Sequence, residues 1–188
     1  MIIEAAAGLF AERGYANTSV AAVAAAAGVA LNTVYTSVGG KSALILALTE
    51  HGAADEAITE TLRRIDAAET AHEIIRIVAE GTGRVRQRQH KTLSLVLDNR
   101  TAHPDVAAAA DLAERVTRER FAAIADRLLK LGGLRPGLSA HQVTDTLWFY
   151  FGFNAWRTLR GMNWSWEQAG TWLAEQAASG LLPAACDS

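Results

Sequence analysis

The stretch that most constrains the fold is TSVAAVAAAAGVALNTVYTSVGGK, from Thr18 to Lys41. Thr18 and Ser19 are good N-cap residues, because a hydroxyl accepts a backbone N–H left free in a first helical turn. The alanine run behind them is strong helix former throughout. Gly28 interrupts it where a positive φ would strain any other residue. Val29 can pack back after the turn, and a second short helix follows through Ala30, Leu31, Asn32, Thr33, Val34, Tyr35 and Thr36. A further helix opens at Lys41. Two short helices meeting at such a turn form a helix-turn-helix, whose second helix can enter a DNA major groove.

Together with the preceding AAAGLFAERGYANTS, this stretch resembles the TetR family of transcriptional regulators. The matching elements are Ala6-Ala7, Leu9-Phe10, Gly14-Tyr15, Thr18-Ser19, Ala27-Gly28-Val29, Tyr35 and Lys41. They follow in order over the first quarter of the chain. The resemblance implies an all-α fold with a helix-turn-helix head (residues 1–45) and a ligand-binding and dimerisation domain (46–188). It implies a homodimer on a pseudo-palindromic double-stranded operator, and a small-molecule effector that releases it. Two positions depart from the family habit. Thr36 stands where a histidine is common, and Val38 where an aromatic is common. Relatives also carry a few basic residues ahead of the first helix, whereas this sequence opens directly in one.

The expected DNA-facing residues are Thr18, Ser19, Ala30, Leu31, Asn32, Thr33, Tyr35, Thr36 and Lys41. Asn32 can pair with an adenine edge, and Thr33 can offer a hydroxyl or touch a thymine methyl. Tyr35 and Lys41 match family positions that contact phosphates. Lys41 stands at a helix N-terminus, where free N–H groups favour an anion. Charge argues the other way. From Met1 to Glu50, Arg13 and Lys41 face Glu4, Glu12 and Glu50, a net charge of −1, although a DNA-binding domain normally shows a basic footprint. The alternative reading is therefore a helical ligand-binding or adaptor protein that has lost DNA binding.

Half of the 188 residues are hydrophobic and only three are proline, so an all-α chain with a substantial core is expected. Apolar runs are interrupted well before the ~18 residues of a membrane span. The opening MIIEAAAGLF lacks the basic start and cleavage site of a signal peptide. The single cysteine, Cys186, excludes a disulfide framework, and a cytoplasmic protein is expected. No cofactor or metal is expected: the histidines have no HExxH spacing, and Cys186 has no cysteine partner. There is no GxSxG elbow. GGKS at Gly39–Ser42 lacks the earlier glycine of a P-loop. Nothing in the sequence asks for an enzyme.

The periodicity predicts helices over Met1–Arg13, Lys41–Arg64 (loosened at Gly52), Ala71–Gln89 and Thr92–Arg100. After a break at His103-Pro104, Asp105 is placed to cap a helix running to Leu131, ended by Gly132-Gly133. Ser139 caps one over Ala140–Arg160, and Ser165 caps another over Trp166–Ser179. The basic cluster Arg84, Arg86, Arg88, His90 and Lys91 reads as a solvated surface, because alternate spacing spreads it around a helix.

The last quarter is the other informative region. All five tryptophans and three of the five phenylalanines fall between Trp148 and Trp172, more apolar surface than one inner face requires. Gly152, Ala155, Trp156 and Leu159 recur at roughly helical spacing, as do Trp166, Ala169, Trp172, Leu173 and Ala177. These residues are the expected dimer interface, since a monomer should not expose so much apolar surface. Leu95, Phe121, Leu128, Leu147, Phe151 and Asn154 are the candidate lining of an effector pocket. Few charges fall among them, so the expected ligand is hydrophobic or aromatic and of low charge.

Overall fold

The computed structural model describes residues 1–101 and 103–183, with only the backbone of Asp98; Cys186 lies outside them. Among the described residues there are ten helices and no strand: α1 (Ile2–Arg13), α2 (Val20–Ala27), α3 (Leu31–Ser37), α4 (Lys41–Ala53), α5 (Glu56–Ala67), α6 (Ala71–Asp98), α7 (Pro104–Leu131), α8 (Ala140–Phe151), α9 (Phe153–Gly161) and α10 (Trp166–Leu181). The expected all-α class holds. No single helix among them is long and apolar enough to cross a membrane.

The helices pack as two units. The first comprises Met1–Ala54 with Gln89–Arg115, and the second Asp55–Arg88 with Val116–Ser188. The long helices α6 and α7 contribute to both. Packing thus groups Gln89–Arg115 with the N-terminal helices, a division the sequence pattern does not suggest.

The core of the first unit forms around Ala6, Phe10, Val23, Val34, Leu44 and Ile45, joined by Val96 and Val106. The second gathers Ile65, Ile74, Ile75, Phe121, Leu128, Leu147, Phe151, Trp156 and Leu173. Each large side chain so buried contributes about 1.5–3 kcal/mol, and the second core holds the larger aromatic side chains.

Four local outcomes differ from the sequence expectation. The helix expected over Lys41–Arg64 is broken, because the Asp55 carboxylate accepts the Ala57 N–H at 2.9 Å and starts α5 afresh. The two helices expected between Ala71 and Arg100 are one, α6; Gln89 to Thr92 contains no residue that stops a helix. The helix expected over Ala140–Arg160 is divided at Gly152, where a Cβ would lie 2.4 Å from the Trp148 carbonyl oxygen. Only glycine fits that corner. Finally, α7 begins at Pro104, a favoured first helical residue because it has no N–H to satisfy. Asp105 follows it inside the first turn, and its carboxylate serves residues elsewhere in the first unit.

Candidate functional site

The geometry of the N-terminal motif follows from its backbone hydrogen bonds. Ser19 caps α2 by accepting the Ala22 N–H at 3.1 Å. Gly28, at φ 68° and ψ 30°, ends the helix in the left-handed region. Its N–H reaches Ala25 O, and that of Val29 reaches Ala24 O, a double closure that satisfies carbonyls otherwise left open. Helices α2 and α3 are thereby set at 102° to each other. Val34 is the buried anchor of α3, packed with Val20, Val23 and Ala24. Fixing that face turns the rest of α3 outward. Ala30, Leu31, Asn32, Thr33, Tyr35 and Thr36 are all exposed, Leu31 by 44% and Tyr35 by 51%. Large apolar surface on a short polar helix is what base edges and sugars can cover.

The structure separates the other expected DNA contacts. Ser19 is exposed, and its hydroxyl proton is free to reach outward while the oxygen caps α2. Thr18 is different: it is only 2% exposed, and its hydroxyl lies against the carbonyls of Leu9 (3.2 Å) and Gly14 (2.9 Å). It ties α1 to the start of α2 and has no surface to offer a phosphate, which corrects its place among the DNA contacts. The Thr36 hydroxyl donates within its own helix, to Asn32 O and Thr33 O.

Lys41 lies at the start of α4, where its ammonium donates to Ala16 O at 2.9 Å and sits 4.5 Å above the Tyr15 ring. An ammonium has three donors, so this seat still leaves two for an anion. Beneath it is a network that the sequence did not reveal. Asp105 Oδ2 accepts from Tyr15 Oη and from Ser42 Oγ, each at 2.6 Å, and His103 Nδ1 is 3.4 Å away. The hydrogen bonds from Ser42 and then Tyr15 hold the Asp105 carboxyl below its usual range. Burial, and then the bond to Asp105, push the Tyr15 phenol up. The signal in the sequence was Asp105 itself, read there only as a helix cap.

In the second unit, the expected ligand-lining residues do not share one space. Phe121, Leu128, Leu147 and Phe151 are buried core, Leu95 belongs to the core of the first unit, and Asn154 is exposed. None of them lines the cleft of about 670 Å³ found among α6, α9 and α10. Its apolar floor includes Ile75, Ala79, Trp156, Gly170 and Ala174, and its rim carries Arg76, Glu80, Arg84, Glu167 and Glu175. Trp156 is wedged between two glycines: a Cβ on Gly83 would come within 2.8 Å of its ring, and one on Gly170 within 3.3 Å. Its indole nitrogen is buried without a hydrogen-bond partner.

The expected interface residues divide as well. Gly152, Trp156, Leu159, Ala169, Leu173 and Ala177 are buried within the chain itself, so they cannot meet a partner and are corrected to core. Ala155 and Trp166 are half-buried. Trp172 is 38% exposed, and Met162 and Phe149 lie open at 62% and 71%. Trp164 stands edge-on to Trp172 with centroids 5.9 Å apart. The apolar surface left over on α8 and α10, which pack on each other, is therefore carried by Phe149 and Trp172.

The basic cluster on α6 is also not uniform. Arg88 pairs with Asp55 at 3.1 Å and Arg84 reaches the rim of the cleft. Arg86 is buried, against the expectation of a solvated surface.

A pair of short helices set at 102°, with one face buried and the second helix exposed, is the geometry of a helix-turn-helix. Residues 2–48 match the sequence model of bacterial regulatory proteins of the tetR family. Three solved structures illustrate the likeness of the whole chain. A putative TetR-family transcriptional regulator from Syntrophomonas wolfei has a TM-score of 0.79 at 14% identity, over 100% of this chain and 96% of that one. The regulator FadR of Bacillus subtilis, solved with stearoyl-CoA, has a TM-score of 0.78 at 19% identity, over 95% and 97%. NalD of Pseudomonas aeruginosa, a secondary repressor of a multidrug efflux pump, has a TM-score of 0.73 at 19% identity, over 98% and 96%. No curated protein sequence matches the chain. Residues 2–48 thus carry the N-terminal domain of the tetR-family regulatory proteins, and the chain as a whole shares the fold of these solved regulators.

Proposed function

We propose that this regulator is a repressor that binds a pseudo-palindromic operator as a homodimer and is released by a small molecule held in the second unit. The observation that carries the DNA-binding half is the outward set of Ala30, Leu31, Asn32, Thr33, Tyr35 and Thr36 on α3. Residues 1–45 would act as the reading head, with Asn32 and Thr33 on base edges, and Ser19, Tyr35 and Lys41 on phosphates. Phe149 and Trp172 would meet their counterparts in a second copy, since they are large, apolar and left partly open by the described residues of their own chain. Two-fold symmetry then sets two α3 helices one helical turn of DNA apart. The neighbours solved with stearoyl-CoA and triclosan and the cleft beside Trp156 support a small-molecule effector. It can act only through a difference in its affinity for the DNA-bound and DNA-free conformations. The working place of such a protein is the cytoplasm.

Selection of bound fragments from a random DNA pool tests this reading. A two-fold symmetric consensus is expected. No enrichment over background would favour the second reading, an adaptor that has lost DNA binding, to which the net charge of −1 over Met1–Glu50 lends its one support.

A further inference from the structure

Arg86 lies in the middle of α6 with 8% of its surface exposed. The adjoining side chain, Val85, is equally buried. Among the described residues no carboxylate pairs with Arg86, and its Nε is buried with no hydrogen-bond partner. The one charge that acts on it appreciably is the like charge of Arg120 on α7, within the same unit. Burial first, then Arg120, push its guanidinium down to about 10, so it is still protonated at neutral pH. Burial likewise lowers Arg120.

A protonated guanidinium in this position is costly. Desolvation of an ion costs several kcal/mol unless an opposite charge and hydrogen bonds offset it, and Arg86 has a like charge instead. Every other arginine of the cluster is treated in the ordinary way: Arg88 is paired and Arg84 reaches the rim of a cleft. A hydrophobic residue of similar length would satisfy the packing without the electrostatic cost. Structure alone gives no reason for a positive charge here; a missing anion does.

We infer that Arg86, with Arg120 beside it, is a buried oxyanion site that receives the carboxylate or phosphate head of the effector. A guanidinium presents a planar fork of N–H donors that matches either group in a two-point contact. Arg120 adds a second positive charge to its surroundings, itself tempered by the Glu119 carboxylate. The effector is therefore an acidic amphiphile, apolar along its length and anionic at one end. This sharpens the expectation of a ligand of low charge, since one end must carry a full negative charge. The inference rests on the proposed regulatory reading for its consequence, release from DNA, but the binding site itself stands or falls separately.

The test uses the full chain, its Arg86→Met and Arg86→Lys variants, and probes that differ only at the head: decanoate, decyl phosphate and decan-1-ol by calorimetry. Acetate and inorganic phosphate, compared with chloride at matched ionic strength, probe the head group alone by thermal unfolding. Decanoate or decyl phosphate should bind the native chain better than decan-1-ol, and Arg86→Met should weaken the preferred anion about tenfold to a hundredfold. Arg86→Lys keeps the charge without the fork and should fall between them. Whichever head wins identifies the source of the anion. Without ligand, Arg86→Met should be at least as stable as the native chain, because it removes an unpaired buried charge.

Equal binding of the alcohol and both anions would overturn the inference. So would indifference of both chains to every anion, or a less stable Arg86→Met, which would mean that the charge already has a partner. DNA binding by Arg86→Met should be unchanged while its release by the preferred amphiphile is lost. If the amphiphile binds natively but never moves the DNA equilibrium, the regulatory reading fails and the anion site remains.

Discussion

Thr18 and Arg86 are both polar side chains sealed inside helical units, and their surroundings treat them in opposite ways. The Thr18 hydroxyl lies within hydrogen-bonding distance of the carbonyls of Leu9 and Gly14. The Arg86 guanidinium, in the second unit, has a buried nitrogen with no partner and a neighbour of the same charge. A buried polar group that serves the fold is satisfied within its own unit, because leaving it unpaired costs about 1–3 kcal/mol. The N-terminal unit is finished in that sense. The groups proposed to meet DNA lie exposed, while among the described residues no buried side-chain polar atom of its interior lacks a partner. The interior of the second unit still holds the unpartnered donors of Arg86 and Trp156, the observation on which the proposed anion site rests.

Four measurements can break or sharpen this contrast. The largest effect is expected at the surface of the second unit. Trp172→Glu places a charge on the face proposed for dimerisation, and such interfaces are apolar and often exceed ~2,000 Å². Sedimentation at low micromolar concentration should show monomers or aggregates, with operator affinity falling by more than a hundredfold as paired half-sites are lost. A variant that stays dimeric would mean that Phe149 and Trp172 face water for another reason.

Next comes the paired substitution inside the two units. Thr18→Val should lower the stability of the chain by about 1–3 kcal/mol, because it strips a buried donor from two carbonyls. Arg86→Met should do the reverse or nothing, as replacing a buried charge by a hydrophobe of similar volume is often neutral or stabilising. Urea unfolding followed by circular dichroism compares them directly. Losses of equal size would erase the contrast.

Within the head, Asn32→Ala should erode sequence preference by about 1–3 kcal/mol at the base pair it reads. Lys41→Ala should weaken all sequences alike and lower the magnitude of the salt slope by about 2 for the dimer. Fluorescence anisotropy across a salt series separates the two. A native slope steeper than about 6 would mean that cations outside the head reach DNA.

The smallest effect concerns acid stability. Ser42 and Tyr15 hold the Asp105 carboxyl below its ordinary value, so the folded state binds this proton less readily than the unfolded one. The stabilisation is complete above the ordinary carboxyl range and is lost as pH falls through the depressed folded value. Asp105→Asn should flatten that acid limb, below about pH 4, by lowering the neutral plateau toward the acid value, since the charge contributes its stability at neutral pH. An unaltered acid limb in the variant would show that the network around Tyr15 does not depend on the charge.

Much of the head was legible because its determinants are local. Ser19, the alanine run and Gly28 each act within four residues of themselves, through a cap, a propensity and a positive φ. The same logic located Ser139 and Ser165, both of which cap their helices reciprocally with Gln142 and Gln168. Legibility failed where an interaction spans many residues. Asp105 looks like a cap in its own neighbourhood, but Tyr15 and Ser42 claim its carboxylate from far along the chain. Gly152 looks like a tolerable mid-helix glycine until the Trp148 carbonyl is seen to occupy the space of its missing Cβ.

The sequence by itself determined the class of the protein, the presence of the helix-turn-helix and the identity of its outward helix, since short-range spacing fixes all three. Tertiary structure alone decided which face of each long helix is covered. Arg84, Arg86 and Arg88 are chemically identical and evenly spaced, yet one reaches the rim of a cleft, one is buried and one is ion-paired. Trp156 and Trp172 differ in the same way, one locked between Gly83 and Gly170 and the other turned to solvent. Helical periodicity sorts residues into faces, but which face is desolvated depends on the helices that distant parts of the chain lay against it. That choice sets whether an arginine is an ordinary surface charge or a site.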